Sequence, residues 1–221
     1  MRRYAFFDVD GTLLAFNSMI HFIEFFYKNY YGKEIGNSKI HDYAWRRKNT
    51  YRNFDRDKLN RLYYENYCGI EMSFLRERGK QWFQEIVLQD KNAFNSAAIN
   101  RLKQHQAEGD QIVLVSGSFF ACLEPIAKHL DAQHILCTNV VVEKGCLTGE
   151  VKLPQTIGEG KTEAMRSFLG NDAEKVLATS FAYGDHISDL PMLQIVGNPG
   201  VIPSDHQLME YAKKRSWEII N

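Results

Sequence analysis

Three apolar runs, each ending in small or acidic residues and separated by helical patterning, constrain what this chain can fold into. They are residues 4–9 (Tyr-Ala-Phe-Phe-Asp-Val), Gln111–Ser116 and 179–183. Short runs rich in β-branched and aromatic side chains favour buried strands. Strands alternating with helices predict a mainly parallel α/β sheet with helices on both faces. The first run opens into Asp8-Val9-Asp10-Gly11-Thr12, and Gly11 is where such a strand would end. Two carboxylates two residues apart would then face the crevice beyond the strand ends, where open α/β sheets bind ligands. One could attack phosphorus and the other move a proton, provided a cation offsets their charge.

Three further stations follow. Ser116-Gly117-Ser118 ends the second run ahead of a helical pattern over 119–130. A hydroxyl with free backbone N–H groups at such a turn makes an anion site. Lys161, in Gly158-Glu159-Gly160-Lys161-Thr162, supplies a compact positive charge suited to a phosphoryl group. Gly184-Asp185-His186-Ile187-Ser188-Asp189, after the third run, supplies the oxygen ligands that Mg²⁺ prefers. Each has an ordinary reading by itself: a strand ending in a turn, common loop chemistry, a solvated lysine. Gly160-Lys161-Thr162 also fits the end of a nucleotide-binding P-loop, but the required first glycine is Gln155 and Pro154 breaks the segment. The spacing at Gly184 and Asp185 does not match an EF-hand. Four coincidences in this order are harder to accept than one shared function.

Between the first and second runs, residues 16–95 hold no strand pattern and no proline. Phe22, Phe25 and Phe26, then Leu59, Leu62 and Tyr63, recur at helical spacing. This segment is read as an inserted helical domain, 16–95, with the core formed by 1–15 and 96–221. Within it, Trp45-Arg46-Arg47-Lys48 with Tyr51 and Arg52 is either a solvated helix face over buried rings or a wall that meets an anionic substrate. Val140-Val141-Val142, Glu143-Lys144-Gly145 and Cys146-Leu147-Thr148 predict a β-hairpin within 139–149. His186 either touches substrate or fills its loop, with the loop slightly favoured, and the scattered His21, His41, His105, His129 and His134 need no catalytic role.

A chain of 221 residues can be one large domain or a core with an insertion. Lys+Arg and Asp+Glu both number 27, so charge makes no case for nucleic acid or membrane as partner. Cys68, Cys122, Cys137 and Cys146 form no C-x-x-C pair, which favours a reducing, cytoplasmic setting. Arg2 and Arg3 before an apolar run resemble a secretory leader, an expectation rejected because Asp8 and Asp10 interrupt the apolar stretch. The aromatic stretch 22–26 is too short and polar-flanked to span a bilayer.

The order Asp8-x-Asp10-Gly11-Thr12, Ser116, Lys161 and Gly184-Asp185-x-x-x-Asp189 resembles the four motifs of the haloacid dehalogenase (HAD) superfamily of phosphatases. The helical insertion after the first motif is similar to the phosphoserine-phosphatase-like branch, subfamily IB. So are Ser116-Gly117-Ser118, Gly158-Glu159-Gly160-Lys161 and Ile187-Ser188-Asp189-Leu190-Pro191-Met192. The resemblance implies a Rossmann-like core under an α-helical cap. It also implies a Mg²⁺-dependent phosphatase acting on a small phosphorylated metabolite through an aspartyl-phosphate. Asp8 would be the nucleophile and Asp10 the general acid and then base. Mg²⁺ would be held by the Asp8 side chain, the Asp10 backbone carbonyl and the Asp185 side chain. Ser116, the Gly117 N–H and Lys161 would hold phosphoryl oxygens. Thr12 would fix the loop or contact phosphate through its backbone, and Asp189 would orient Lys161 or metal-bound water.

Phosphoserine phosphatases carry a cap glutamate for the substrate ammonium. At that spacing this chain has the uncharged Asn17, followed by Ser18. That counts against phosphoserine and makes Asn17, Ser18, Arg46 and Arg47 the candidates for substrate choice. The aromatics of 16–31 and 43–67 either line a site for a larger or more apolar ester or form cap core. The alternatives are a phosphotransferase passing the group to an acceptor hydroxyl, and a non-catalytic binding module. The intact set Asp8, Asp10, Ser116, Lys161, Asp185 and Asp189 argues against the module.

Overall fold

The computed structural model describes residues 3–221. Met1 and Arg2, which the sequence reading assigned to the core and weighed as part of a leader, lie outside the described residues. In chain order the strands are β1 (Tyr4–Phe7), β2 (Gln111–Ser116), β3 (His134–Cys137), β4 (Val140–Glu143), β5 (Cys146–Val151), β6 (Phe181–Gly184), β7 (Asn198–Val201) and β8 (Glu218–Ile219). Six of them form one sheet ordered β3-β2-β1-β6-β7-β8, with every neighbouring pair parallel. Strand order reverses between β1 and β6, which is where such sheets open a crevice at their carboxyl ends.

The sheet is buried on both faces, hence the near-continuous apolar runs. Side chains alternate along each strand. Ala5, Phe7, Ile112, Leu114 and Tyr183 enter one core, while Phe6, Val113, Val115, Ala182 and Val201 enter the other. The second expected strand matches β2 residue for residue. The third begins two residues later than expected and ends one later, because the Thr179 and Ser180 hydroxyls bond back to the Val176 carbonyl at the end of a helix. β3, β7 and β8 were not anticipated. They are two to four residues long, and Pro199 in β7 argues against a strand. That proline is tolerated because β8 pairs only with Gly200 and Val201.

The helices are α1 (Ser18–Tyr31), α2 (Lys33–Asn49), α3 (Arg56–Tyr64), α4 (Met72–Trp82), α5 (Ser96–Ala107), α6 (Phe120–His129), α7 (Glu159–Leu169), α8 (Ala173–Leu177), α9 (Leu190–Gln194) and α10 (His206–Arg215). A π-helical turn, Phe83–Val87, extends α4. The segment read as an insertion is therefore helical, and its aromatics are mostly core. Phe22, Phe26, Tyr63, Tyr64, Tyr67 and Trp82 are fully or almost fully buried. Phe119, just before α6, is ringed by Phe22, Tyr63, Tyr64 and Tyr67 at centroid distances of 5.4–6.1 Å. The hairpin forms as β4 and β5, antiparallel. Its second strand, β5, hydrogen-bonds to the stretch before α4, through Gly69 N to Leu147 O (2.7 Å) and Leu147 N to Ile70 O (2.9 Å). No described helix is long and apolar enough to cross a membrane.

Candidate active site

Asp8 lies just past β1 and Asp185 just past β6, adjacent strands at the reversal point of the sheet. Gly11 lets them meet. Its φ of +88° is open to glycine, and a Cβ there would lie 2.4 Å from Asp185 Oδ2. Thr12 Oγ1 donates to Asp185 Oδ1 at 2.9 Å, with Asp8 Oδ2 3.4 Å away. Lys161, from the first turn of α7, donates to Asp8 Oδ1 (2.5 Å) and Asp189 Oδ1 (2.6 Å). The other oxygen of Asp189 receives the Asp185 and His186 backbone N–H groups. Asp10 Oδ1 accepts the Ser18 N–H at 2.9 Å, so this carboxylate completes the N-terminus of α1.

Carboxyl oxygens of Asp8, Asp185 and Asp189 all lie within 4.8 Å of one another, and all three residues are buried. Burial pushes Asp8 well above the usual carboxylate range; Lys161 opposes the shift and Asp189 and Asp185 add to it. Burial also raises Asp10, against the pull of the Ser18 hydrogen bonds, and raises Asp185, with Asp189 adding to the shift. Lys161 is itself raised: burial lowers it, but the charges of Asp189 and Asp8 outweigh that. One lysine cannot neutralise four neighbouring carboxylates. The all-oxygen donor set and its surplus negative charge suit a hard divalent cation.

Ser116 ends β2, beside β1. Its Oγ accepts the Ser118 N–H at 3.1 Å, which leaves the hydroxyl proton free to point outward. A cavity of about 100 Å³ lies over these groups, walled by Asp8, Asp10, Ser116, Gly117 and Lys161 below. Its upper wall includes Asn17, Met19, Arg47, Arg56, Asn60 and Tyr63. This is small beside the ~300–1,000 Å³ of sites for drug-sized ligands.

Asp8, Asp10, Ser116, Gly117, Lys161, Asn17 and Arg47 thus line one cavity, with Asp185 and Asp189 bonded directly behind it. Three sequence candidates do not line the cavity. Arg46 points along α2 into an exposed pair with Asp42 (2.9 Å), because residues one apart on a helix point about 100° apart. Ser18 is fully buried and meets Ser118 Oγ at 3.1 Å. Thr12 is fully buried, and its side chain serves Asp185. Asn17 faces the cavity, but its Oδ1 is occupied by the Ile20 N–H at 3.0 Å, as the α1 cap. His186 Nδ1 accepts the Ser188 N–H at 3.1 Å within its own loop.

Sequence reasoning missed Arg56, Asn60, Tyr63, Met19 and Ser188. Arg56 begins α3 and reaches across to Ser188 Oγ (2.6 Å) and His186 Nδ1 (3.0 Å). Asp55, which caps α3 through the Lys58 N–H, was the available signal for a helix starting there. Nothing local said which way that helix would face.

The family model for haloacid dehalogenase-like hydrolases matches residues 5–194. The chain belongs to this family. The HAD resemblance drawn from the motifs is therefore correct, as is the α/β core. A probable phosphatase of Mycobacterium tuberculosis is 31% identical over 230 residues, covering 100% of this chain and 75% of that protein. Solved structures share this fold. A Bordetella pertussis protein of unknown function has a TM-score of 0.86 at 22% identity, covering 100% and 99% of the two chains. A substrate-bound phosphoserine phosphatase has a TM-score of 0.62 at 17% identity, covering 100% and 93%.

Proposed function

We propose that this HAD-family protein is a Mg²⁺-dependent phosphatase that hydrolyses a small phosphomonoester through an aspartyl-phosphate on Asp8. The observation that carries the reading is Lys161 Nζ bridging Asp8 and Asp189 inside a buried carboxylate cluster, with Ser116 and Gly117 across the same small cavity. A nucleophile, a proton carrier and phosphoryl-oxygen donors thus converge on one point.

Asp8 attacks phosphorus with one carboxylate oxygen, and the Lys161 charge favours its ionised form. Ser116 Oγ–H, the Gly117 N–H and the Lys161 ammonium take the phosphoryl oxygens, where charge builds as the ester bond breaks. Asp10 gives its proton to the departing alcohol oxygen. Its raised pKa fits that task, since a carboxyl held upward by burial keeps its proton closer to neutrality. Asp10 then takes a proton from the water that releases phosphate. Asp8, the Asp10 carbonyl and Asp185 are the residues that would hold Mg²⁺, which supplies charge neutralisation between nucleophile and phosphate. Asp189 keeps Lys161 aimed.

The helical segment 16–95 serves as the cap in this reading, and Asn17, Arg47 and Arg56 meet the alcohol half of the substrate. The cavity is narrow, and the aromatics that hinted at a larger ester are mostly committed to the core. A small metabolite is therefore the favoured substrate class. Four free cysteines, one of them exposed, fit a reducing cytoplasm. The test is turnover of a panel of phosphomonoesters with Mg²⁺, and with the metal chelated. Asp8→Asn should abolish phosphate release while leaving the thermal transition in place. Release surviving in that variant removes Asp8 as nucleophile, and a phosphorylated alcohol among the products would make the protein a transferase.

A further inference from the structure

The Gly117 carbonyl oxygen is hydrogen-bonded by three side chains from two distant parts of the chain. Tyr64 Oη donates at 2.8 Å and Asn60 Nδ2 at 3.0 Å, both from α3, and Thr138 Oγ1 donates at 3.0 Å from the segment after β3. A carbonyl oxygen has two lone pairs, so three donors fill its capacity and fix the direction of the peptide plane. Tyr64 and Thr138 are essentially fully buried, and Asn60 is 7% exposed.

That peptide's other end is the Ser118 N–H, which donates to Ser116 Oγ at 3.1 Å. The chain of bonds therefore runs from Tyr64, Asn60 and Thr138 into the Gly117 carbonyl. It continues through the Ser118 N–H into the Ser116 hydroxyl, and out to the phosphoryl group. Each bond polarises the next: donors on a carbonyl make the N–H of the same peptide a stronger donor, and a hydroxyl that accepts a bond donates a better one. Ser118 is also pinned at its own carbonyl, by the Thr138 N–H at 3.0 Å, and at its hydroxyl, by Ser18. Little else is free to turn.

We propose that Asn60, Tyr64 and Thr138 are positioning residues for phosphoryl binding, acting through the Gly117–Ser118 peptide to aim and strengthen the Ser116 hydroxyl. Two of the three come from the helical insertion. The insertion thus contributes to phosphate affinity as well as walling the cavity, and it does so whatever alcohol the phosphate is esterified to. This inference rests on the phosphatase reading above.

The test uses Tyr64→Phe and Thr138→Val, which keep shape and remove one donor each, and Thr138→Ser, which restores a donor. Each is assayed for inhibition by inorganic phosphate with Mg²⁺ present, for kcat and KM on a small and a bulky phosphomonoester, and for Tm. Tyr64→Phe and Thr138→Val should each raise the Ki for inorganic phosphate by about two- to tenfold, the range for one lost hydrogen bond. They should lower kcat/KM by the same factor for both esters. Thr138→Ser should recover most of the loss. A lowered Tm with an unchanged Ki for inorganic phosphate would reduce these residues to packing and overturn the inference alone. So would a loss that differs between the two esters, since it would place the residues against the alcohol. A wild-type protein that hydrolyses no monoester would overturn the phosphatase reading itself.

Discussion

Asp8, Asp10 and Asp185 are held above the ordinary carboxylate range mainly by burial. Their unfolded counterparts ionise near pH ~4. The folded protein without a cation therefore keeps protons that the unfolded chain gives up. The stability this contributes is fully present below about pH 4 and is lost as pH rises through the elevated folded values. A divalent cation bound to the ionised cluster acts in the opposite sense and stabilises by mass action. The rise in Tm on adding millimolar MgCl2 should therefore be larger at pH 7.5 than at pH 5, at matched ionic strength. Asp185→Asn should largely remove it. An equal rise at both pH values, or one that persists in Asp185→Asn, would place the cation elsewhere.

At the scale of elements, the insertion is fastened to the core by a close helix crossing. A Cβ on Gly79 of α4 would lie 1.9 Å from the Ala121 carbonyl oxygen of α6. Pro125, four residues on in α6, has no N–H to give to that carbonyl. The crossing thus brings a face of α4 without a side chain against a carbonyl that the proline leaves without its helical partner. Gly→Ala inside a helix ordinarily stabilises by about 0.5–1 kcal/mol. Gly79→Ala should instead destabilise by about 1–3 kcal/mol, the usual cost of overpacking. Urea unfolding decides the sign. A stabilised variant would mean that α4 and α6 are farther apart than described here.

For the whole molecule, the insertion and the sheet share one hydrophobic cluster. It runs from Phe22, Tyr67 and Trp82 through Phe119 and Ile126 to Phe7 and Leu114. The hairpin adds backbone hydrogen bonds to the same junction. Shared burial on this scale couples unfolding, so calorimetry should show one transition with matching calorimetric and van't Hoff enthalpies. Phe119→Ala should cost about 3–5 kcal/mol and lower that single transition. Two separated transitions in the wild type would mean that the helical segment between β1 and β2 unfolds on its own.

The chemistry was legible in the sequence because it is local. A carboxylate pair at a strand end, a serine loop, a lysine opening a helix and a glycine-aspartate turn each carry their meaning within a few residues. The main strands were legible for the same reason, since burial on both faces leaves an uninterrupted apolar run. The cavity walls were not. α2 buries only Gly36 outright, so no apolar stripe announces its facing, and Arg47 reaches the cavity while Arg46 pairs with Asp42. Aromatics fill the insertion so densely that sequence could not separate Tyr63, which lines the cavity, from Tyr64, which holds the Gly117 carbonyl. By itself the sequence determined the family and the candidate groups that the strand ends and α7 bring to one cavity. Tertiary packing alone decided which helix face closes over them, because that depends on contacts between residues tens of positions apart.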